Sequence, residues 1–310
     1  MKIAIIGAGA MGTLYGAKLA LAGEDVTMID VVPAAIETMR TEGLLLQLAD
    51  GEHTAKVSAY LAADVPDTAD LVLLFTKAMY SRAALESARG FMGEHTVVMS
   101  LQNGLGNREL IEEFIPASRI IIGTSNFPSD LIRIGSVRSI GEGHTAIMNA
   151  NGSVTPFLQQ VCDAFDRAGL NCTVAPDIMT AIWTKVAINA TANSITSVCR
   201  LRCGVLSSTP EAITLADQII DEVAAVAKAD GSPLDAVDIK ETFHRLMSEM
   251  GDHLTSTEQD VLSRRPTEVG SINGGVVNKA RALGISAPRN ETMYLLIRTI
   301  EQNYEGQILS

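Results

Sequence analysis

Residues 2–30, KIAIIGAGAMGTLYGAKLALAGEDVTMID, constrain the fold of this chain more than any other stretch. Ile3, Ala4, Ile5 and Ile6 make an apolar run of strand length, and Gly7-x-Gly9-x-x-Gly12 follows at once. A small-residue helical stretch (Ala17, Leu19, Ala20, Leu21) comes next and closes at Gly23, and a second β-rich run, Val26–Ile29, ends on Asp30. Strand, glycine turn, helix and acidic strand end together predict a dinucleotide-binding βαβ unit. Gly7 permits the tight turn, Gly9 admits the backbone close to a pyrophosphate, and Gly12 lets the helix pack on the strand. The positive end of the helix faces the phosphates. Asp30, 23 residues past Gly7, sits where a carboxylate accepts from ribose hydroxyls.

The same start superficially suits a signal peptide, with Lys2 before apolar residues. Three glycines and the amphipathic helix that follows argue against it. Four cysteines (Cys162, Cys172, Cys199, Cys203) without a secretion signal point to a reducing, cytoplasmic setting. Cys199 and Cys203 are one helical turn apart with no histidine nearby, which reads as incidental thiols, and the five histidines are scattered, so no metal site is expected. The net charge of −12 argues against nucleic acid or an anionic membrane as the main partner. No run approaches the roughly 18–20 apolar residues that a membrane span needs.

With 310 residues there is room for two domains. Strand-like runs Asp70–Phe75, Thr96–Ser100 and Ile120–Gly123 alternate with helical stretches Ser81–Ala88 and Asn107–Phe114. That alternation predicts an α/β, doubly wound parallel sheet of Rossmann type over residues 1–175. Within it, Ile134–Asn151 reads as an antiparallel extension, Thr155–Ala168 as a helix and Asn171–Val174 as a last short strand. From Pro176 the texture changes. Long apolar-periodic segments (Asp177–Val198, Pro210–Ala229, Asp235–Met250, Ser271–Leu283, Arg289–Tyr304) predict an all-α domain over 176–310, with the substrate site expected in the cleft between the two. Its apolar helices could support a homodimer or pack only on one another.

Within the first of these helices, Lys185, Asn189 and Asn193 fall four apart and so share one stripe among Ile182, Val186, Ala187 and Ile188. An amine and two amides on an apolar helix cost free energy unless they find partners. Such a seam is either structural or functional, and the neighbouring dinucleotide unit favours function. Thr267 and Glu268, just before or within the start of another helix, are by themselves consistent with a cap and a first-turn acid. Ser256 and Asp260 read as loop and cap residues.

Gly7-Ala-Gly9-Ala-Met-Gly12, Thr76-Lys77-Ala78, Gln102-Asn103-Gly104-Leu-Gly106, Trp183-Thr-Lys185 with Asn189 and Asn193, Ser256-x-x-Gln259-Asp260, Arg265-Pro-Thr267-Glu268 and Ile272-Asn273-Gly274 run almost end to end. In these elements the chain resembles the ketopantoate reductase (2-dehydropantoate 2-reductase) family. The resemblance implies a Rossmann domain, a helical domain, and reduction of a 2-oxoacid by a nicotinamide cofactor. Lys185 would then be the general acid at the ketone oxygen, with Glu268 orienting it or the substrate. Asn103, Asn189, Asn193 and Ser256 would hold substrate oxygens. Gly7, Gly9, Ala10, Met11, Gly12, Asp30, Thr76, Lys77 and Asn103 would line the cofactor.

Two departures qualify the transfer. NADPH-preferring members usually carry an arginine just after the second strand, whereas this chain reads Ile29-Asp30-Val31-Val32-Pro33, which favours NAD over NADP. The stretch His253-Leu-Thr-Ser256-Thr257-Glu258 also differs from the usual pattern and could reshape the substrate pocket. A D-2-hydroxyacid dehydrogenase of the D-mandelate type, an NADPH-dependent ketopantoate reductase, and a dinucleotide sensor without catalysis are the readings to separate. The β-hydroxyacid and 6-phosphogluconate dehydrogenases also carry a Lys-x-x-x-Asn helix, but the Thr267-Glu268 and Gln102-Asn103-Gly104 elements argue against them.

Overall fold

The structure, a computed structural model, describes Met1–Gln307. The chain divides into two compact units, one of Met1–Gln102 with Asn107–Ile178, the other of Asn103–Gly106 with the residues from Met179 onward.

In the first unit the elements run β1 (Lys2–Ile6), α1 (Ala10–Leu21), β2 (Asp25–Ile29), α2 (Pro33–Glu42), β3 (Leu44–Leu48), β4 (Gly51–Ala55), β5 (Ser58–Tyr60), β6 (Ala69–Leu74), α3 (Ser81–Ala88), β7 (Met92–Ser100), α4 (Asn107–Glu112), β8 (Ile120–Ser125), β9 (Asp130–Arg133), β10 (Ser136–Arg138), β11 (Thr145–Asn149), α5 (Pro156–Arg167) and β12 (Cys172–Val174). The main sheet has the order β12-β11-β8-β7-β6-β1-β2-β5. Its six strands from β8 to β5 pair in parallel, in the doubly wound order that reverses between β1 and β6. Strands buried on both faces need unbroken apolar runs, and Ile3, Ile5, Leu71, Val72, Leu74, Val98 and Met99 are all buried. Beyond β8 the direction reverses, because β11 pairs antiparallel to it and carries β12 with it.

A second, four-stranded sheet, β4-β3-β10-β9, is an addition that the sequence reading did not anticipate, as are α2 and β5. It explains why α1 is buried over most of its circumference. A Cβ on Gly16 would lie 2.7 Å from Met28 Sδ on β2 and 3.0 Å from Leu44 Cδ1 on β3, so the helix is sandwiched between the two sheets. The expected antiparallel extension over Ile134–Asn151 is therefore shared: β10 joins the small sheet and β11 the large one.

The second unit is helical: α6 (Ile178–Cys199), α7 (Pro210–Ala229), α8 (Ala236–Met250), α9 (Ser256–Leu262), α10 (Asn273–Ala282) and α11 (Pro288–Gln302). Its core gathers Trp183, Val186, Ala190, Ile220, Val223, Phe243, Ile272 and Val276. Trp183 is fully buried, and its indole N–H donates to Asp230 at 3.2 Å, which fixes α6 against α7. Two sequence readings are corrected here. Ser256 opens a helix rather than sitting in a loop, because Thr255 caps α9 through Glu258 N–H. Cys199 ends α6 and Cys203 starts a separate short helix, so they do not share one turn. Among the described residues no helix is long and apolar enough to cross a membrane.

Candidate active site

In the first unit the candidate residues lie at the reversal of strand order. Gly7 adopts φ +105°, a region that only glycine enters freely, and a Cβ there would sit 2.8 Å from Thr76 N. A Cβ on Gly12 would fall 1.9 Å from Gly7 O and 3.4 Å from Phe75 Cβ. The loop after β1 is thus pressed against the chain leaving β6. At Gly9, by contrast, a Cβ would meet nothing within 4 Å, so the loop faces open space there. Gly9 is the N-cap of α1, and no side chain of the described residues caps that helix or places an acid in its first turn. First-turn amides with an open approach and no carboxylate suit a phosphate, and the residues present fit a dinucleotide's pyrophosphate.

Asp30 does more than end β2. Its Oδ2 accepts from Ala8 N–H at 2.9 Å and its Oδ1 from Val32 N–H at 3.1 Å, so the carboxylate braces the glycine loop while keeping lone pairs for a ribose diol. The next two side chains are Val31 and Val32, exposed at 89% and 45%. Arg40, the first basic residue after Asp30, donates its Nε–H to Ala59 O at 2.6 Å and stacks 4.9 Å from the Tyr60 ring centroid. Gln102 is a residue whose role the sequence did not reveal. Its amide donates to Thr76 O at 2.6 Å and to the Ser81 hydroxyl at 2.7 Å, and its Oε1 accepts from Ser100 Oγ at 2.9 Å. It thereby fixes the Thr76-Lys77 segment that follows β6.

In the second unit, Lys185, Asn189 and Asn193 do line one stripe of α6, with Lys185 and Asn189 half-buried and Asn193 buried. Burial pushes the Lys185 ammonium down to about 8, while the charge of Glu268 partly opposes that fall. Glu268 lies in the turn just before α10, whose Ser271 and Ile272 amides donate to its carbonyl. Asn103 reaches this turn and donates from Nδ2 to Glu268 Oε2 at 2.9 Å. Gly104 shows why that loop needs glycine: with φ +89°, a Cβ would lie 2.3 Å from Ser271 O. Leu105 N–H closes the contact on the same carbonyl at 2.8 Å. Asn103 was expected at the end of a Rossmann strand; by its contacts it belongs with the helical unit.

Four buried polar atoms on α6 and α9 find no hydrogen-bond partner among the described residues: Thr180 Oγ1, Asn193 Nδ2, Ser197 Oγ and Glu258 Oε2. Glu258 is only 3% exposed, and burial raises its carboxyl to about 7. Ser256, at the start of α9, is exposed. Among the described residues, no group of three or more His, Cys, Asp or Glu side chains is placed to hold a metal.

A doubly wound dinucleotide-type unit joined to a helical unit with a lysine–glutamate pair defines a class shared by many oxidoreductases. Comparison with known proteins narrows it. Residues 3–152 match the family model described as ketopantoate reductase PanE/ApbA, and residues 177–301 match its C-terminal counterpart. This chain belongs to the ketopantoate reductase family. It is 29% identical to the 2-dehydropantoate 2-reductase of Lactococcus lactis over 97% of this chain and 98% of that protein. It is 30% identical to that of Pyrococcus horikoshii, over 97% of this chain and 98% of that one. Among solved structures, a ternary complex of D-mandelate dehydrogenase with NADH and anilino(oxo)acetate superposes with a TM-score of 0.93 at 29% identity, covering 98% of this chain and 100% of the other.

Proposed function

We propose that this protein reduces a 2-oxoacid to a D-2-hydroxyacid, with Lys185 as the general acid. The observation that carries the reading is the Lys185–Glu268 pair: an amine brought to about 8 by burial, under the influence of one carboxylate, on the stripe that also presents Asn189 and Asn193. An acid whose pKa lies near working pH gives up its proton readily and recovers it quickly. The Lys185 ammonium would protonate the ketone oxygen as charge builds there, and its cation would stabilise the developing alkoxide. Glu268, held by Asn103, would keep that ammonium oriented. Asn189 and Asn193 would bind substrate oxygens, and the buried Nδ2 of Asn193 that lacks a protein partner among the described residues suits that task. Ser256, exposed at the start of α9, would contribute a hydroxyl.

A nicotinamide dinucleotide, when bound, supplies the hydride. Gly7, Gly9, Ala10, Met11 and Gly12 would hold its pyrophosphate, and Thr76 and Lys77, fixed by Gln102, would line its nicotinamide half. NAD is favoured over NADP, because Asp30 presents a carboxylate where a 2′-phosphate would carry like charge, and the exposed Val31 and Val32 offer no cation. The relatives divide on substrate: several are named 2-dehydropantoate 2-reductase, while the D-mandelate dehydrogenase complex holds NADH. We favour the D-2-hydroxyacid dehydrogenase branch on the strength of Asp30. The rest of the reading is a small-molecule partner rather than nucleic acid, in keeping with the net charge of −12, and a cytoplasmic setting, in keeping with four free cysteines. It includes a homodimer, which light scattering checks.

The test is initial rates of NADH and NADPH oxidation, side by side, with ketopantoate and with a panel of branched and aromatic 2-ketoacids. NADH preference with weak ketopantoate turnover is expected. NADPH preference with efficient ketopantoate turnover would overturn the assignment of Asp30, and turnover with none of the acids would favour a dinucleotide sensor.

A further inference from the structure

Asn273 was part of a sequence motif, yet neither cofactor nor substrate chemistry uses it. It is 1% exposed and opens α10, directly after the Glu268 turn. Its side-chain amide donates to Ala190 O on α6 at 2.9 Å and to Asn290 Oδ1 on α11 at 3.3 Å. Ala190 adjoins Asn189 on the helix that carries Lys185. Asn290 is itself fully buried and is held by Glu222 of α7, which accepts from both its backbone N–H and its Nδ2 at 3.0 Å. Glu222 also accepts from the Arg289 backbone N–H at 3.0 Å and from Arg289 Nη1 at 3.1 Å, so this anchor is charge-assisted.

We propose that Asn273 is a positioning residue that ties the Glu268 turn to α6 and thereby sets the approach of Glu268 to Lys185. The turn is fastened at both ends. On its N-terminal side Thr267 N–H donates to Glu301 of α11, and the 103–105 loop clamps Glu268 and Ser271. On its C-terminal side the tether to α6 is Asn273. A buried amide is suited to that place. Its two N–H groups meet two oxygens that would otherwise lie opposite an apolar residue, while a carboxylate there would set oxygen against oxygen. With the tether gone, the turn can relax away from α6, and Glu268 loses part of its hold on the Lys185 proton.

This inference rests on the Lys185–Glu268 reading above, so its test does not depend on turnover alone. The pH dependence of Lys185 acylation by trace acetic anhydride, read by peptide mass spectrometry, reports the amine directly. In Asn273→Ala the midpoint is expected to fall by about half a pH unit or more, because burial still lowers it while Glu268 opposes less. Where the 2-oxoacid reading holds, the alkaline limb of kcat moves down by the same amount, kcat falls about tenfold with KM little changed, and nucleotide binding is retained. Combining Asn273→Ala with Glu268→Gln should add little beyond Glu268→Gln alone. Asn290→Ala, which leaves the Ala190 bond in place, should move the midpoint the same way but less, and it serves if Asn273→Ala does not fold. A wild-type midpoint in both variants, with only a lower melting temperature, would overturn the positioning role. A shifted midpoint in a protein that reduces no 2-oxoacid would instead leave the tether standing and refute the proposed function.

Discussion

The glycine loop of the first unit and the glutamate turn of the second solve the same problem on different scales. Both press backbone against backbone where a glycine alone fits. In the first, Gly12 meets the Gly7 carbonyl within a six-residue motif. In the second, Gly104 meets the Ser271 carbonyl, and Asn103 bonds Glu268 across 165 positions of sequence. A local turn is set by the steric limits of a few adjacent residues. The distant clamp depends on bringing together two segments far apart in sequence.

The sharpest way to break the comparison is to remove chemistry from one side only. Lys185→Ala should lower kcat by about 10²- to 10⁴-fold, the range for losing a positioned general acid, while nucleotide binding stays at its wild-type level. In the wild type, reduction should fall as pH rises through about 8, where the ammonium loses its proton, and alcohol oxidation should rise over the same interval. Equal loss of nucleotide affinity in the variant would mean that the two units do not divide the work.

A paired glycine experiment probes the backbone. Gly9→Ala meets open space and φ −72°, so its melting temperature should stay near wild type while nucleotide affinity drops, since the added methyl occupies the phosphate approach. Gly104→Ala should do the reverse. Its methyl meets Ser271 O at φ +89°, which should cost about 2–4 kcal/mol in stability, and activity should fall with nucleotide affinity preserved. Unfolding by denaturant and nucleotide titration on both variants decide it.

The smallest effect concerns Glu258, buried without a partner for Oε2 among the described residues. Its carboxyl is raised by burial from 4.5 to about 7. A raised acid costs the fold stability as pH climbs from the unfolded value through the folded one, on the order of 3 kcal/mol here. Glu258→Gln removes that charge, so its gain in melting temperature should be larger at pH 8 than at pH 5. Parallel losses in both proteins would show that Glu258 is stabilised by something other than neutrality.

Much of the first unit was legible. The apolar runs of β1, β6, β7 and β8 mark a sheet buried on both faces, and the glycine spacing marks the turn that begins α1. The segment from Pro33 to Tyr60 was not legible: α2 and the short strands β3 to β5 carry too little periodicity to stand out, and the pairing of β3 with β10 depends on residues about ninety positions on. In the second unit the Lys185 stripe followed from a spacing of four. The partnership of Asn103 with Glu268 and the tether from Asn273 to Ala190 did not, since each is fixed by contacts that no local pattern encodes; the helix beginning at Ser256 was missed although Thr255, three residues before Glu258, is a local cap signal.

The sequence by itself therefore determined the dinucleotide-type turn, the alternation of strands and helices, and which face of α6 is polar, because these depend on backbone sterics and on periods of two and 3.6 residues. Only the tertiary structure decided that Asp30 braces the loop it follows, that Asn103 holds the Glu268 carboxylate, and that Asn103 belongs to the helical unit. Those outcomes rest on burial and on hydrogen bonds between distant segments, whose strength exists only after water has been excluded from between them.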